Sequence, residues 1–269
     1  MHTTHYTISM TTQQTLLIIQ SRGLGDIIIA LPIAKYYYDQ GVEVHWPVCE
    51  EFYPSFKDTA PYIKWHPMKT DPQCTFFYAE PMRIAQELGC DWVICLYQSL
   101  NVVPELSKVP YFQIQHFDEF KYSKAKVPFL KKWTLGDCIT RSTAREDALY
   151  SKLVTEGEPY YVTHFEGSNF EATPDLSGIP DNWLRIDINK NTRTDCVFDW
   201  LRIIEEATAV ICVDSCVSNM IDQLQIDVDK YWIPRSHIHL TPTLGSGWEI
   251  LEAPDGSAAK QVIFAASPK

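Results

Sequence analysis

The stretch from Leu16 to Tyr38, LLIIQSRGLGDIIIALPIAKYYY, constrains the fold of this chain more than any other. Leu16 to Ile19 are aliphatic without polar alternation, the pattern of a strand buried on both faces of a parallel sheet. The chain must then turn between Gln20 and Gly25, where Gly23 and Gly25 permit positive φ or a close approach by a ligand. A largely apolar run of helical length follows. Asp26 falls where that helix should begin, and a carboxylate there can cap the free first-turn amides and is stabilised by the helix dipole. Helix cap and reactive group are both open readings of Asp26 at this point.

The same alternation continues along the chain. Val42 to Val48 reads as a second strand that turns at Pro47, Ile63 to His66 as a short strand, and Met82 to Gly89 as a helix closed by its glycine. Trp92 to Tyr97 reads as another buried strand. Between them, Glu50 to Pro72 is rich in aromatics and proline and should hold a short helix and loops. Strands alternating with helices indicate a parallel α/β sheet, whose ligands bind beyond the carboxyl ends of the strands, here Ser21 to Asp26 and Gln98 to Asn101.

Thr143 to Val154 has helical spacing, and Gly157 and Pro159 follow it, so a boundary is expected there. It separates an N-terminal unit, 1–157, from a C-terminal unit, 158–269. The second unit restarts with a strand, Tyr160 to Phe165, and a Gly turn, Gly167-Ser168-Asn169, whose backbone amides can bind an anion. Val210 to Val213 is a further buried strand, running into Asp214-Ser215 and a helix over Val217 to Leu224. A hydroxyl and free amides at a helix N-terminus suit a diphosphate, and helix capping is the other reading.

With 269 residues the chain can bury two cores of ordinary domain size. A formal net charge of -11 opposes general attraction to nucleic acid or anionic membrane. Lys121, Lys124, Lys126, Lys131 and Lys132 form either a local positive patch for an acceptor or a solvated helix followed by a loop. No long apolar run and no secretory leader is read, and cysteines at 49, 74, 90, 95, 138, 196, 212 and 216 lack zinc spacing. A reducing cytoplasm is therefore expected, without a metal site. His237 and His239 share one strand face and read as a polar face, since two histidines without a third ligand do not make a metal centre.

The string GLGDIIIALPIAKYY, with Gly25-Asp26 after a buried strand and Leu31-Pro32 inside the helix, resembles the N-terminal signature of the ADP-heptose:lipopolysaccharide heptosyltransferases, a branch of the GT-B glycosyltransferases. AVICVDSCVS, Ala209 to Ser218, resembles the donor-site Asp-Thr-Gly region of the same family. Here Ser215 keeps the hydroxyl, while Cys216 stands in place of Gly and Asn219 in place of His. The basic string that often follows the Gly167 turn is absent, so Arg185, Lys190, Arg193 or Arg235 must supply any phosphate-binding cation. Thr241 to Leu251, TPTLGSGWEIL, resembles the stretch after the donor site.

The resemblance implies an α/β GT-B architecture of two Rossmann-like domains facing a cleft, acceptor side first and donor side second. It implies an inverting, metal-independent transfer of a sugar from a nucleotide-diphosphate sugar, the co-substrate, to a hydroxyl on a glycan, lipid-linked or other acceptor. Asp26 would be the general base. Gly167, Ser168, Asn169, Asp214, Ser215, Cys216 and Ser218 would bind the donor, and Arg22, Gly23 and Gly25 would form an acceptor or phosphate loop. Two other readings stand beside it: a non-catalytic GT-B-like module that binds a nucleotide, glycan or protein, and a transferase acting on a modified nucleobase in DNA.

Overall fold

In a computed structural model of the chain, the described residues are 13–98, 116–167, 171–191, 194–234 and 241–251. The first half runs β1 (Thr15–Ile19), α1 (Leu24–Tyr38), β2 (Glu43–Cys49), α2 (Tyr53–Phe56), β3 (Lys64–Met68), α3 (Ala79–Leu88) and β4 (Trp92–Cys95). Next come α4 (Phe117–Lys124), a 3-10 segment (Phe129–Cys138) and α5 (Thr143–Leu153). The second half contains β5 (Tyr160–His164), β6 (Leu184–Asp187), α6 (Leu201–Glu205), β7 (Ala209–Val213), α7 (Cys216–Gln223), β8 (Asp229–Ile233) and β9 (Trp248–Ile250). Two sheets result, ordered β3-β2-β1-β4 and β6-β5-β7-β8-β9. Every pairing within them is parallel.

Leu16 to Ile19 are fully buried, as an aliphatic run in an interior strand must be. Ile27 to Ala34 in α1 are buried as well, because this helix is covered on all sides, by its own sheet, the 3-10 segment and α7. Each such Leu or Ile contributes about 1.5–3 kcal/mol of burial. One continuous core passes from β1 and β2 through α1 and α7 to β5 and β7. Pro32 lies inside α1 and has no N–H for the Ile28 carbonyl. In the same turn the Ile29 carbonyl accepts a bond from Tyr122 Oη at 2.9 Å.

Several expectations are corrected. Asp26 is not the helix cap: Gly23, at φ +86°, holds that position, and Asp26 is the third residue of α1. The second strand does not turn at Pro47 but continues to Cys49. Its pairing with β1 is recorded up to Leu17–His45 and resumes as a 2.8 Å bond from the Cys49 N–H to the Ser21 carbonyl, and Pro47, lacking an N–H, falls in the gap. Among the described residues β4 is the edge of its sheet, with Trp92 41% and Val93 38% exposed, so it is not buried on both faces.

The lysine cluster is neither a basic patch nor a solvated face, because two of its five members are buried. Lys121 faces Asp26, and Lys132 lies between Asp118 and Asp222, Nζ to oxygen distances 2.9 and 3.3 Å. Asp222 also accepts bonds from the Gly245 N–H at 2.7 Å and from the indoles of Trp133 and Trp248 at 3.2 and 3.0 Å. Asp118 accepts from the Thr243 N–H at 2.9 Å, and Lys132 donates to the Thr243 carbonyl. The stretch Thr241 to Leu251 thus fastens the second half to α4 and the 3-10 segment.

Gly25 marks the other junction. A Cβ there would lie 3.2 Å from Asn219 Nδ2 and 3.3 Å from the Cys216 backbone, so glycine lets α1 and α7 touch. Gly25→Ala is expected to destabilise the chain by about 1–3 kcal/mol, read from urea unfolding, because backbone rather than a flexible side chain must yield. Among the described residues, no helix is long and apolar enough to cross a membrane.

Candidate active site

In doubly wound sheets the ligand site lies where the strand order reverses, beyond the carboxyl ends of the strands. That point falls between β1 and β4 in the first sheet, and between β5 and β7 in the second. The residues at or just beyond the ends of those strands, Gln20, Arg22 and Tyr97 on one side and His164, Glu166 and Asp214 on the other, line a single cavity of about 590 Å³. A larger groove of about 790 Å³ beside β3 and α3 is lined by Glu80, Arg83 and Glu87, which pair with one another on the surface. It meets neither point of reversal.

Arg22, Gly23, Gly25, Asp26, Gly167, Asp214, Ser215 and Cys216 all line the cavity, so residues drawn from both motifs meet. Ser218 does not line it. Its hydroxyl is fully buried, accepting from the Ser215 N–H at 2.9 Å and donating to the Ser215 carbonyl at 3.0 Å, which shapes the entry to α7. Ser168 and Asn169 lie outside the described residues, as do Arg193, Arg235, His237 and His239. Of the remaining cations, Arg185 is paired with Asp187 at 2.8 Å and sits over the Phe165 ring. Lys190 is largely exposed, 3.9 Å from Glu166.

Asp26 is held in place by residues the sequence did not single out. Lys121 Nζ lies 2.9 Å from Asp26 Oδ1 and also donates to Gln20 Oε1 at 2.7 Å and the Leu96 carbonyl at 3.2 Å. Three donors on a buried ammonium therefore meet three acceptors. Asp26 Oδ2 has no protein partner among the described residues and sits against Gly23, where any Cβ would come within 2.6 Å of it. The loop before it is pinned too. The Arg22 N–H donates to Tyr97 Oη at 2.8 Å, and Ser21 Oγ, which donates to the Phe76 carbonyl at 2.6 Å, lies 3.0 Å from the same phenol. Burial raises the Tyr97 phenol well above its ordinary value, so it stays neutral.

The second-half part of the lining holds buried polar atoms that lack a protein partner. His164 Nδ1, Ser215 Oγ and Asn219 Oδ1 are buried without a protein partner. All three residues line the cavity, at the end of β5 and in the first turn of α7, where the backbone amides also lack intrahelical partners. Burial lowers the His164 imidazole to about 4, with Asp187 opposing the shift only in part. The unfolded chain, with histidine near its ordinary 6.5, therefore binds more protons between pH 6.5 and 4. Stability should fall as pH drops through that window, by about 3 kcal/mol from this group once below it. His164→Asn should flatten that share of the decline in urea unfolding at pH 7, 5.5 and 4.

Among the described residues, no group of three or more His, Cys, Asp or Glu side chains is placed to hold a metal ion. None of the eight cysteines is in a disulfide. Local sequence offered no means of separating Lys121 from Lys124, or His164 from the rest of its strand. Their importance comes from what the topology sets beside them.

Two all-parallel sheets that share a cavity at their points of reversal define a fold of the GT-B class. Among solved structures, the chain is similar to Escherichia coli heptosyltransferase WaaC with ADP, at 13% identity over 90% of this chain and 94% of that one, with a TM-score of 0.51. It is likewise similar to E. coli ADP-heptose lipopolysaccharide heptosyltransferase II, at 9% identity over 93% of each chain, TM-score 0.55. A glycosyl transferase of family 9 from Veillonella parvula matches at 10% identity over 89% of this chain and 87% of that one, TM-score 0.54. At such identities the likeness is one of fold. No protein-family model matches the sequence, and no curated protein matches it.

Proposed function

We propose that this chain is a glycosyltransferase that moves a sugar from a nucleotide-diphosphate sugar to an acceptor hydroxyl with inversion and without a metal, in a reducing, cytoplasmic setting. Residues 1–157 form the acceptor-side domain and 158–269 the donor-side domain. The observation that carries this reading is the cavity itself, about 590 Å³, whose lining brings Asp26 together with Asp214, Ser215 and Cys216 where β7 runs into α7. Solved structures of the same fold are heptosyltransferases, one of them holding ADP.

In this mechanism Asp26 Oδ2 takes the proton of the acceptor hydroxyl while Oδ1 stays tied to Lys121. The hydroxyl oxygen forms a bond to the anomeric carbon from the face opposite the leaving group. The bond from that carbon to the phosphate oxygen breaks, and the nucleoside diphosphate departs with its electron pair. Its charge is met by the first-turn amides of α7 and the Ser215 hydroxyl, with Arg22 at the cavity wall.

The test is thermal unfolding with ADP, GDP, UDP, CDP and dTDP and their sugars. One nucleotide series is expected to stabilise the protein selectively, by ~2.7 kcal/mol at a hundred times its dissociation constant. Asp214→Asn should weaken that effect and Asp26→Asn should retain it. Absence of stabilisation by every compound would overturn the proposal.

A further inference from the structure

We infer that Gln20 is a positioning residue for sugar transfer: its side-chain amide engages the Lys121 ammonium so that one oxygen of Asp26 stays open to the acceptor's proton. This rests on the glycosyl-transfer reading above. Gln20 follows β1 and belongs to the cavity lining, yet only 1% of it is exposed. It therefore works through its neighbours.

Two bonds fix which way the amide points. Lys121 only donates, so the Gln20 oxygen faces its Nζ at 2.7 Å, and the Arg22 carbonyl only accepts, so Gln20 Nε2 donates to it, also at 2.7 Å. Glutamate lacks the hydrogen for the second bond, and methionine can make neither. The backbone below is pinned as well. The Trp46 indole donates to the Gln20 carbonyl at 3.0 Å, and the Cys49 N–H donates to the Ser21 carbonyl at 2.8 Å. The amide thus ties a fixed turn to a buried cation.

The hydrogens of Lys121 give that tie its purpose. One goes to the Gln20 oxygen, one to the Leu96 carbonyl and one to Asp26 Oδ1. Lys121 is 3% exposed, so water does not compete for them, whereas the Asp26 side chain keeps 40% of its surface open. Take the Gln20 oxygen away and one buried N–H is left without an acceptor, which is costly. The carboxylate already beside it offers the remedy, since the ammonium can turn onto Oδ2 as well as Oδ1. That oxygen is the one the transfer uses as its base. Gln20 therefore leaves Asp26 held at one oxygen and open at the other.

The test follows release of nucleoside diphosphate from the glucose and mannose forms of ADP, GDP, UDP, CDP and dTDP, with water in place of the acceptor hydroxyl. Gln20→Met is expected to lower turnover by about tenfold or more while the KM for donor stays within about twofold. Gln20→Glu, which keeps an oxygen for Lys121, should recover part of that loss. In a Lys121→Met background Gln20→Met should change nothing further, a coupling that a merely structural role would not produce. A crystal structure of Gln20→Met should place Lys121 Nζ within hydrogen-bond distance of both Asp26 oxygens. Gln20→Leu takes its place where Gln20→Met does not fold.

Turnover of Gln20→Met equal to the parent's would overturn the inference. So would losses from Gln20→Met and Lys121→Met that simply multiply, or a variant structure in which Asp26 Oδ2 is still free of Lys121. The two readings fail separately. Absence of release from every donor sinks the transferase reading, whereas release that Gln20→Met leaves unchanged sinks this one.

Discussion

Asp26→Asn is expected to lower sugar transfer by roughly 10²–10⁴-fold, the usual contribution of a positioned general base, while leaving nucleotide binding in place. The amide fills the same space and can still accept from Lys121 through its oxygen, so the orientation near Gly23 survives. What disappears is the basic oxygen that Lys121 leaves unpaired. A kcat that falls while the donor dissociation constant holds would fit this role, and unchanged transfer would remove Asp26 from the mechanism. Lys121→Met should act in the same direction by freeing the carboxylate to rotate, since Lys121 ties Asp26 to Gln20 and to the end of β4. Its loss should appear in kcat more than in the KM for donor, and Lys121→Arg should recover part of it.

The largest effect on stability is expected at Lys132. Its ammonium is fully buried between Asp118 and Asp222, which are themselves buried, and it is the cation recorded in ion pairs with both. Lys132→Met leaves two carboxylates facing each other with no positive charge between them, a loss of about 3–5 kcal/mol. The melting temperature should drop by roughly 10 °C. Asp118→Asn added to Lys132→Met should recover part of that loss, because one of the stranded charges is then gone. A variant no less stable than the parent would show that the amide and indole donors around Asp222 suffice without Lys132.

Much of the fold was legible because its signals are local. The aliphatic run Leu16 to Ile19, the glycine turn and the helix containing Pro32 announce a strand-turn-helix unit. Tyr160 to His164 and Ala209 to Val213 repeat the theme as buried parallel strands. The resemblance of two short motifs to one family pointed to the same architecture that the sheet orders display. Less legible were features set by neighbours distant in sequence. Trp92 to Cys95 has the composition of an interior strand, but among the described residues it pairs on one side only, at the edge of its sheet. Pro47 reads as a turn until a gap in the ladder accommodates it. Lys121 and Lys132 look like surface lysines in an acidic chain, and only their buried partners reveal otherwise.

By itself, then, the sequence determined the elements: period, turn chemistry and apolar runs act over a few residues, where chain connectivity alone brings the interacting groups together. The tertiary structure decided the site. Lys121 and Gln20 are 101 residues apart, and Trp133 and Asp222 are 89 apart. Nothing in local sequence states that such groups will meet. Their pairing follows from sheet order and helix packing, which place the reversal points of both sheets on one cavity and close α1 onto α7 at Gly25. Burial then removes water as a competing partner, so each buried charge there must find a protein group in its place.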